Sequence, residues 1–335
     1  MDLSTNYLGF ELPHPLMPGA SPLVDDIDTV RRLEDAGAAA IVLHSLFEEQ
    51  LVGEQLATQR FLEGPAESFA EALSYLPEPE DFTLGPDEYL EQLAAIKALV
   101  SVPVIASLNG TSRGGWLEYA KLLQQAGADA LELNVYQLVT DPNISAEQVE
   151  RETLEMVRAV KASVTIPLAV KLSPFYTALP HFARRLEDTG VDGLVLFNRF
   201  YQADIDVEEL AVERRLQLSD PSELLLRLRW LAVLSGTLEQ VDLAVSGGVH
   251  QALDAVKAIM CGASAVQMVS ALLRRGPEHL TTVRDDLSRW LELHEYESLE
   301  QMRGSMNLAR CPDPHAYERA NYLHILQSWR ASGAW

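Results

Sequence analysis

The stretch "VDLAVSGGVHQALDAVKAIMCGASAVQM", residues 241–268, decides how this chain is expected to fold. Its first residues have the length and β-branched content of a buried strand, and the pair Gly247-Gly248 ends that run. Apolar residues then recur at helical spacing as far as Ile259, and a second short apolar run follows at 265–268. The predicted order is therefore strand, glycine turn, helix, strand. Such a turn presents backbone N–H groups to a phosphate, although a tight turn without a ligand has the same sequence pattern.

The same unit recurs along the chain. Apolar runs typical of buried parallel strands lie at 16–21, 39–45, 102–108, 130–135, 168–173, 193–198, 241–247 and 265–268. Segments predicted to be helices follow them at 25–36, 86–100, 115–126, 145–162, 179–189, 221–234, 250–260 and 277–294. Four joins from helix to strand carry the phrases "EDAG", "QQAG", "EDTG" and "IMCG", in which the glycine is expected to adopt the left-handed conformation after the helix.

Eight such units predict an α/β fold, a closed (β/α)8 TIM barrel, because strands that are apolar throughout are buried on both faces. An open doubly wound sheet is the alternative, but the dinucleotide motif G-x-G-x-x-G does not follow the first strand. Residues 46–85 and 199–220 are predicted loop insertions after strands 2 and 6, and residues 304–335 a C-terminal extension with one closing helix. We expect a single domain that spans residues 1–335.

The chain has 335 residues, 47% of them hydrophobic, and a net charge of -23. This charge disfavours binding to nucleic acid and to anionic membrane surfaces. Cys261 and Cys311 are the only cysteines, too few for a disulfide framework or an iron–sulfur cluster. The first residues lack the features of a signal peptide, and no apolar stretch reaches the length of a membrane span. These features predict a cytoplasmic protein that acts on a small molecule.

Polar residues interrupt the apolar strands near their carboxyl ends, the face on which barrel enzymes assemble active sites. They are Ser21, His44, Ser45, Ser107, Glu132, Asn134, Lys171, Asn198, Gln267 and Ser270. Amide and hydroxyl groups predominate in this set, and the His and Glu residues do not cluster in the way that metal ligands do. Metal-dependent hydrolysis is therefore disfavoured, and no metal site is predicted.

Lys171 lies inside the apolar run "LAVKLSP", where an unpaired ammonium group would be costly. One interpretation is structural: the lysine pairs with a carboxylate such as Glu132. The functional alternatives are a Schiff-base lysine, as in barrel aldolases, and a positive charge beside an electron-accepting ring.

Asn134 and Asn198 lie at the ends of two predicted strands, and an amide offers both a donor and an acceptor to the edge of a heterocycle. Together with Lys171, the glycine turn and Ser270, they describe a phosphate anchor beside a surface that recognises a ring. This combination suits a phosphorylated, planar, redox-active cofactor, and FMN has that shape.

Seven phrases that span nearly the whole chain are "HPLMPGASP", "GADALELNV", "LAVKLSP", "GVDGLVLFN", "VSGGV", "GASAVQMVSALL" and "SLEQMRGSM". In these phrases the sequence resembles the FMN-dependent dihydroorotate dehydrogenases of the soluble class, and more closely the dihydroorotate dehydrogenase-like proteins. The resemblance implies bound FMN, oxidoreductase activity on a CH–CH group, a place in pyrimidine metabolism, and a homodimer.

The resemblance also implies roles for individual residues. Lys171 would lie near the pyrimidine end of the flavin and stabilise its anionic reduced form. The other implied contacts are Ala20, Ser21, Ser45, Asn134 and Asn198 at the ring or the substrate, and Gly247, Gly248 and Ser270 at the phosphate.

The chain departs from the family pattern where the family binds its substrate. The family motif Asn-x-Ser-Cys-Pro-Asn, whose Cys or Ser is the base, is here "NVYQLVTDPN". The family pair Lys-Ser is here His44-Ser45, and the loop "NSMGLPN" has no counterpart in residues 46–85. Tyr136 and His44 are the candidates for a replacement base. Dihydroorotate oxidation therefore does not follow from the resemblance.

The sequence is compatible with three functions. The first is an FMN-dependent oxidoreductase that acts on a CH–CH bond of a small substrate such as a dihydropyrimidine. The second is a flavin-binding barrel that has lost its chemistry and serves as an accessory subunit or scaffold. The third is an aldolase that forms a Schiff base on Lys171.

Overall fold

The computed structural model describes residues 1–47, 86–109, 116–135, 137–199, 202–213, 216–319 and 321–328. Their strands are β1 (Thr5–Tyr7), β2 (Phe10–Leu12), β3 (Leu16–Pro18), β4 (Ile41–Phe47), β5 (Val104–Asn109), β6 (Ala130–Val135), β7 (Leu168–Leu172), β8 (Gly193–Leu196), β9 (Asp204–Asp206), β10 (Ala211–Glu213), β11 (Asp242–Ser246) and β12 (Ala265–Met268). Their α-helices are α1 (Ile27–Asp35), α2 (Pro86–Leu99), α3 (Trp116–Gln125), α4 (Ala146–Ser163), α5 (Leu179–Glu187), α6 (Leu224–Ser235), α7 (Ala252–Met260), α8 (Ser270–Arg275), α9 (His279–Leu293), α10 (Leu299–Met302) and α11 (Asn321–Ser328).

Eight of these strands form one parallel sheet, in the order β3-β12-β11-β8-β7-β6-β5-β4. The two ends of the sheet meet where the Ala39 N–H donates to the Leu16 carbonyl oxygen, at 3.1 Å. The sheet is therefore a nearly closed barrel with helices around it, which confirms the predicted TIM barrel and contradicts the open doubly wound sheet. The observed strands begin and end within a few residues of the predicted runs.

Residues along each barrel strand alternate between two environments. Leu133 and Val170 face outward and belong to the core between sheet and helices. Ala130 and Ala169 belong to the second core, which fills the barrel interior. Two residues further along β7, the interior position is Lys171, so the alternation places this ammonium group inside the barrel toward its carboxyl end.

The hairpin of β1 and β2 closes the amino end of the barrel, and the sequence did not predict it. Tyr7, Leu8 and Leu12 are buried and pack in the interior core. Leu8 and Gly9 have φ angles of 53° and 78°, and type I′ hairpin turns require positive φ at both central residues. The Leu8 N–H donates to Asp242 Oδ2 at 2.7 Å, which joins the hairpin to the start of β11.

The glycines of the four repeated phrases take the expected conformation. Gly37, Gly127, Gly190 and Gly262 have φ angles of 86°, 102°, 82° and 114°. Each follows a helix and precedes a barrel strand, so the left-handed residue turns the chain from the outer layer back to the amino end of the sheet.

The two insertions differ in how much of them the structure describes. Residues 48–85 lie outside the described residues. In the other insertion, 199–220, β9 and β10 form an antiparallel hairpin in which Ile205 pairs with Val212. The C-terminal extension runs along α7, where the Gly304 N–H donates to the Ile259 carbonyl at 3.0 Å, and it includes α11. None of the helices in the described part of the chain is long and apolar enough to cross a bilayer.

Stability should depend on pH through His14, which is buried near the amino end of the barrel. Its Nδ1 accepts a hydrogen bond from the Leu16 N–H at 3.2 Å. Burial lowers the pKa of His14 from 6.5 to about 4, although a hydrogen bond with the Gly37 backbone opposes this shift. The imidazole therefore binds a proton more readily in the unfolded chain than in the folded protein. As the pH is lowered from 7 to 4, the free energy of unfolding should fall by about 3 kcal/mol.

Urea unfolding at pH 7, 5.5 and 4 measures this dependence. His14→Asn is the matched variant, because an asparagine oxygen can still accept the Leu16 N–H but does not titrate in this range. Between pH 7 and 4, the free energy of unfolding of the variant should therefore fall less than that of the wild type, because the contribution of His14 is lost. An equal slope in both proteins would rule out His14 as its source.

Candidate functional site

The carboxyl ends of the barrel strands bring the polar residues of the sequence together. The register aligns Asn134 of β6 with Lys171 of β7 on one side and with Asn109 of β5 on the other. Gln267 of β12 aligns with Ser246 of β11. Interior side chains of adjacent strands therefore form one continuous polar surface in the mouth of the barrel.

Lys171 is held in a buried cluster with Glu132 and Gln267, the lysine triad. Its Nζ donates to Glu132 Oε1 at 3.0 Å and to Gln267 Oε1 at 3.1 Å, and Gln267 Nε2 donates to the other carboxylate oxygen of Glu132. The exposed fractions of the three residues are 4%, 1% and 0%. The structure therefore agrees with the structural interpretation, in which Lys171 pairs with Glu132. A Schiff base needs a neutral, accessible amine, so this geometry argues against the aldolase hypothesis.

Tyr7, from the hairpin of β1 and β2 that we call the floor hairpin, lies within electrostatic reach of Glu132 of the triad. Tyr7 is 1% exposed, and its buried hydroxyl has no hydrogen-bond partner among the described residues. Burial, and after it the negative charges of Glu132 and Asp242, raises the pKa of Tyr7 well above its ordinary value. Tyr7 therefore remains a neutral phenol under the ion pair.

Asn134, Ser45 and Ser107 form a second group, the amide cluster. Asn134 Nδ2 lies 3.1 Å from Ser45 Oγ and 2.9 Å from Ser107 Oγ, and the two hydroxyl oxygens are 2.8 Å apart. Asn134 Nδ2 also donates to the Leu108 carbonyl at 3.0 Å. These contacts fix the orientation of the amide, because its NH2 group is directed at Ser45, Ser107 and the Leu108 carbonyl.

His44 lies beside the amide cluster and faces a carboxylate. The register between β4 and β5 shifts between Val42 and Ser45, and this irregularity changes the direction of the side chains at the end of β4. His44 Nδ1 lies 2.7 Å from Asp25 Oδ1, although the ring is not oriented for a linear hydrogen bond. The imidazole packs edge-on against the buried ring of Tyr89, with ring centroids 5.1 Å apart. Asp25 therefore compensates any positive charge on His44.

The glycine turn has the backbone conformation that only glycine adopts easily. Gly247 and Gly248 have φ angles of 93° and 80°. A Cβ on Gly247 would lie 2.7 Å from Arg227 Nη2, and one on Gly248 would lie 2.5 Å from the Leu224 backbone nitrogen. The Arg227 guanidinium donates to the Ser246 carbonyl and packs under the turn. Gly248 is thus needed for the close approach of the turn to the first residue of α6, and Gly247 for its close approach to the Arg227 guanidinium.

Ser270 meets the glycine turn through Ser219, a residue that the sequence did not single out. The Ser219 N–H and hydroxyl donate to Ser270 Oγ at 3.0 and 2.8 Å, and the Gly248 N–H makes a long contact of 3.4 Å to Ser219 Oγ. Since Ser270 Oγ accepts both bonds, its own proton is available to a further acceptor. The three predicted phosphate contacts, Gly247, Gly248 and Ser270, therefore converge on one place.

The remaining predicted residues have different surroundings. Ser21 is 5% exposed, and its buried hydroxyl is without a hydrogen-bond partner in the described part of the chain. Ala20 next to it is only partly buried. The Asn198 N–H donates to the Leu172 carbonyl at 2.7 Å, which extends β8 beyond its last strand residue. Tyr136, the other candidate base, lies outside the described residues.

Sequence reasoning missed Ser219 and Asp25 as members of the site. Both lie in loops without regular periodicity, so only tertiary structure brings Ser219 to Ser270 and Asp25 to His44. A sequence signal did exist for Gln267, a polar residue inside the apolar run of β12. Among the residues that the structure describes, no group of three or more His, Cys, Asp or Glu side chains could hold a metal ion.

The chain is similar to several known proteins over most of its length. The chain is similar to the catalytic subunit of dihydroorotate dehydrogenase B (NAD(+)) of Methanocaldococcus jannaschii, with 27% identity over 316 residues, 90% of this chain and 97% of that protein. It is 29% identical over 228 residues to a putative dihydroorotate dehydrogenase A (fumarate) of Aeropyrum pernix, 66% of this chain and 72% of that protein. It is 25% identical over 340 residues to the NAD-dependent dihydropyrimidine dehydrogenase subunit PreA of Escherichia coli K12, 91% of this chain and 77% of that protein.

Residues 3–291 match the family model described as dihydroorotate dehydrogenase. This match covers most of the barrel and confirms the resemblance drawn from the seven phrases. Members of the family are flavoproteins, and the similar proteins are oxidoreductases that act on CH–CH groups. The chain belongs to the dihydroorotate dehydrogenase family of oxidoreductases.

Proposed function

We propose that this protein binds FMN at the carboxyl end of the barrel and transfers a hydride equivalent between the flavin and a CH–CH bond of a small heterocyclic substrate. One observation carries the proposal. In a member of a flavoprotein family, the buried lysine triad and the amide cluster lie in the same barrel mouth as a glycine turn whose two residues have positive φ. This is the arrangement of a ring site beside a phosphate site.

The glycine turn suits the phosphate of FMN. The Gly248 N–H makes only a long hydrogen bond, 3.4 Å to Ser219 Oγ, and Ser270 Oγ accepts rather than donates in its two contacts with Ser219. Arg199 and Arg227 lie close by and share the carboxylate of Glu223, at 3.1 and 3.8 Å. Backbone donors at positive-φ glycines next to two guanidinium groups form a favourable environment for a dianion.

The lysine triad suits the isoalloxazine ring. Bound FMN supplies the two-electron chemistry. Lys171 provides a fixed positive charge, since Glu132 and Gln267 hold its ammonium group in one orientation. Such a charge stabilises negative charge that develops on a neighbouring ring without any reorganisation. The hydroxyl of Ser21, which is buried without a partner in the described part of the chain, is available as a further contact to the ring.

Proton transfer requires a base, and His44 is the described candidate. Asp25 lies at its Nδ1, so the opposite nitrogen, Nε2, is the one that would take a proton from the substrate. Tyr136 stays a candidate from the sequence. The proposal includes one domain over residues 1–335 and, by resemblance, a homodimer in the cytoplasm.

An accessory role is the second candidate, and the β9–β10 hairpin favours it. Ile205, Val207 and Leu210 on this hairpin are 68%, 71% and 87% exposed. Exposed apolar side chains near a barrel mouth are typical of a surface that contacts another protein. Flavin that copurifies but is not reduced by any dihydropyrimidine would support this role over the enzymatic one.

The absorption spectrum of the purified protein is the first test, and flavin bands are expected. The sharper test removes the flavin and measures the affinity of the apoprotein for FMN and for riboflavin, which lacks the phosphate. Two charge-assisted hydrogen bonds to the phosphate should make FMN bind about 100-fold more tightly. Equal affinities would contradict the phosphate site, and a protein that takes up neither compound would overturn the cofactor assignment.

A further inference from the structure

His44 lies in a β-bulge near the carboxyl end of β4. Val42 pairs with Ile105 of β5, and the next aligned pair is Ser45 with Ser107. Here β4 advances by three residues while β5 advances by two, which is the geometry of a bulge. A bulge interrupts the regular ladder of backbone hydrogen bonds, so the buried backbone groups beside it need other partners.

The hydroxyl of Tyr89, a residue of α2, supplies those partners. It accepts a hydrogen bond from the Ser107 N–H at 3.1 Å and donates to the His44 carbonyl oxygen at 2.9 Å. Tyr89 is fully buried, and burial raises the pKa of its hydroxyl, which therefore keeps the proton that it donates. One side chain thus joins β4 to β5 at the residue that carries the candidate base.

The same helix also holds the carboxylate partner of His44. Gln92 lies one turn after Tyr89, and its Nε2 donates to the Val24 carbonyl at 3.0 Å and to the Asp25 carbonyl at 3.3 Å. Residues that are three apart in a helix lie on the same face. One face of α2 therefore contacts the backbone of both members of the pair. The helix is the common support of an imidazole Nδ1 and a carboxylate Oδ1 that lie 2.7 Å apart.

The imidazole ring of His44 is supported as well as its backbone. The ring of Tyr89 meets it edge-on, with ring centroids 5.1 Å apart. Position is critical for a base in this chemistry. Oxidation of a CH–CH bond releases a hydride equivalent, which passes to the flavin, and a proton, which passes to the base. The base must lie within hydrogen-bond reach of that proton, so a displacement of about 1 Å slows the reaction strongly.

We propose that Tyr89 and Gln92 are positioning residues for the reaction, which hold His44 against Asp25 so that His44 Nε2 is available to the substrate proton. This inference rests on the proposed function, in which His44 is the base. Both residues act through the pair of His44 and Asp25 and not on the substrate itself.

The first test observes His44 in the protein without added substrate. Nitrogen NMR of isotope-labelled histidine at mildly alkaline pH shows which ring nitrogen carries the proton, and His44→Gln assigns the signals. We expect the proton on Nδ1, beside Asp25, in the wild type. In Tyr89→Phe and in Gln92→Ala, the two nitrogen signals should move toward those of a freely tautomerising imidazole. Signals that stay unchanged in both variants would overturn the inference.

The second test is a double-mutant cycle on the flavin-loaded protein. Reduction of the flavin by dihydrouracil or dihydroorotate is followed by visible absorbance. Tyr89→Phe should slow reduction about tenfold and leave the Kd for FMN within about a factor of two. In the His44→Gln background it should cause no further slowing, because the base that it positions is gone. Equal slowing in both backgrounds, or a wild-type rate in His44→Gln alone, would contradict the inference.

The two tests separate failure of the inference from failure of the proposed function. Absence of flavin bands would count against the proposed function, whereas the NMR test needs no flavin. If neither compound reduces the wild-type flavin, the NMR result decides the inference by itself. Gln92→Ala serves the same purpose if Tyr89→Phe does not fold, because Gln92 is only partly buried.

Tyr317→Phe is the matched control. The Tyr317 hydroxyl also donates to a backbone carbonyl, that of Met306 at 2.6 Å, but it lies in the C-terminal extension. The control should lose a comparable hydrogen bond and keep both the His44 signals and the rate of flavin reduction. If it changed the His44 signals as much as Tyr89→Phe does, a general loss of stability would be the cause, and the positioning role would be refuted.

Discussion

Lys171→Met is expected to lower the free energy of unfolding by about 3 to 5 kcal/mol, because it leaves the Glu132 carboxylate buried without its cation. Glu132 is 1% exposed, so water cannot replace the lost ammonium group. In the same variant, the substrate should reduce the flavin slowly or not at all, since the fixed positive charge beside the ring is gone. Urea unfolding and anaerobic stopped-flow absorbance measure the two effects.

The double variant Glu132→Leu with Lys171→Met separates these effects. It removes both charges, and an apolar replacement of a buried ion pair is often neutral for stability. We expect it to recover most of the lost stability but none of the flavin reduction. If flavin reduction also recovered, the lysine triad would be a structural feature only. If Lys171→Met alone reduced the flavin at the wild-type rate, the role of the ammonium group would be refuted.

Gly248→Ala should have the second largest effect. The residue has φ of 80°, and a Cβ would lie 2.5 Å from the Leu224 nitrogen and 2.9 Å from the Leu224 Cα. These are backbone atoms at the start of α6, so no side chain can move aside. The cost should be about 3 kcal/mol, from the left-handed conformation together with the steric overlap. The displaced N–H should also weaken FMN binding while riboflavin binding changes less.

Gly190→Ala is the matched control for this substitution. Gly190 has nearly the same φ, 82°, but no atom lies within 4 Å of its ideal Cβ. It should therefore lose only the conformational contribution, roughly 1 kcal/mol, and keep normal FMN binding. Chemical denaturation and FMN titration of both variants are the measurements. Similar losses in the two proteins would mean that the contact with α6 is unimportant.

The barrel was predictable because its local and global signals agree. The strands are apolar throughout and buried on both faces, and the left-handed glycines such as Gly127 mark where each helix ends. The floor hairpin was not predictable on these grounds. The turn Leu8-Gly9 places a leucine at positive φ, which sequence preferences disfavour, and the burial of Leu8 inside the barrel compensates for it.

The site was predictable as a set of positions but not as a set of contacts. Strand ends identified Lys171, Asn134 and the glycine turn, because a polar residue in an apolar strand stands out. The partners of these residues depend on the closure of the barrel. Lys171 and Gln267 are 96 residues apart in the chain and meet only because β7 and β12 contribute to one interior. The sequence therefore offered Glu132 as a partner for the lysine, but not the three-membered cluster.

The floor hairpin also has a consequence for how the chain folds as it is synthesised. Its first anchor, the Leu8 N–H, pairs with Asp242, 234 residues later, and the Thr5 hydroxyl donates to the Ser264 carbonyl, 259 residues later. The hairpin is thus synthesised long before Asp242 and Ser264, and it can pair with them only after most of the barrel strands have been made. Until then Tyr7 and Leu8 lack the barrel-strand residues that bury them in the folded protein. Contacts of such high sequence separation form slowly, so docking of the floor hairpin should be a late step that completes the interior core of the barrel.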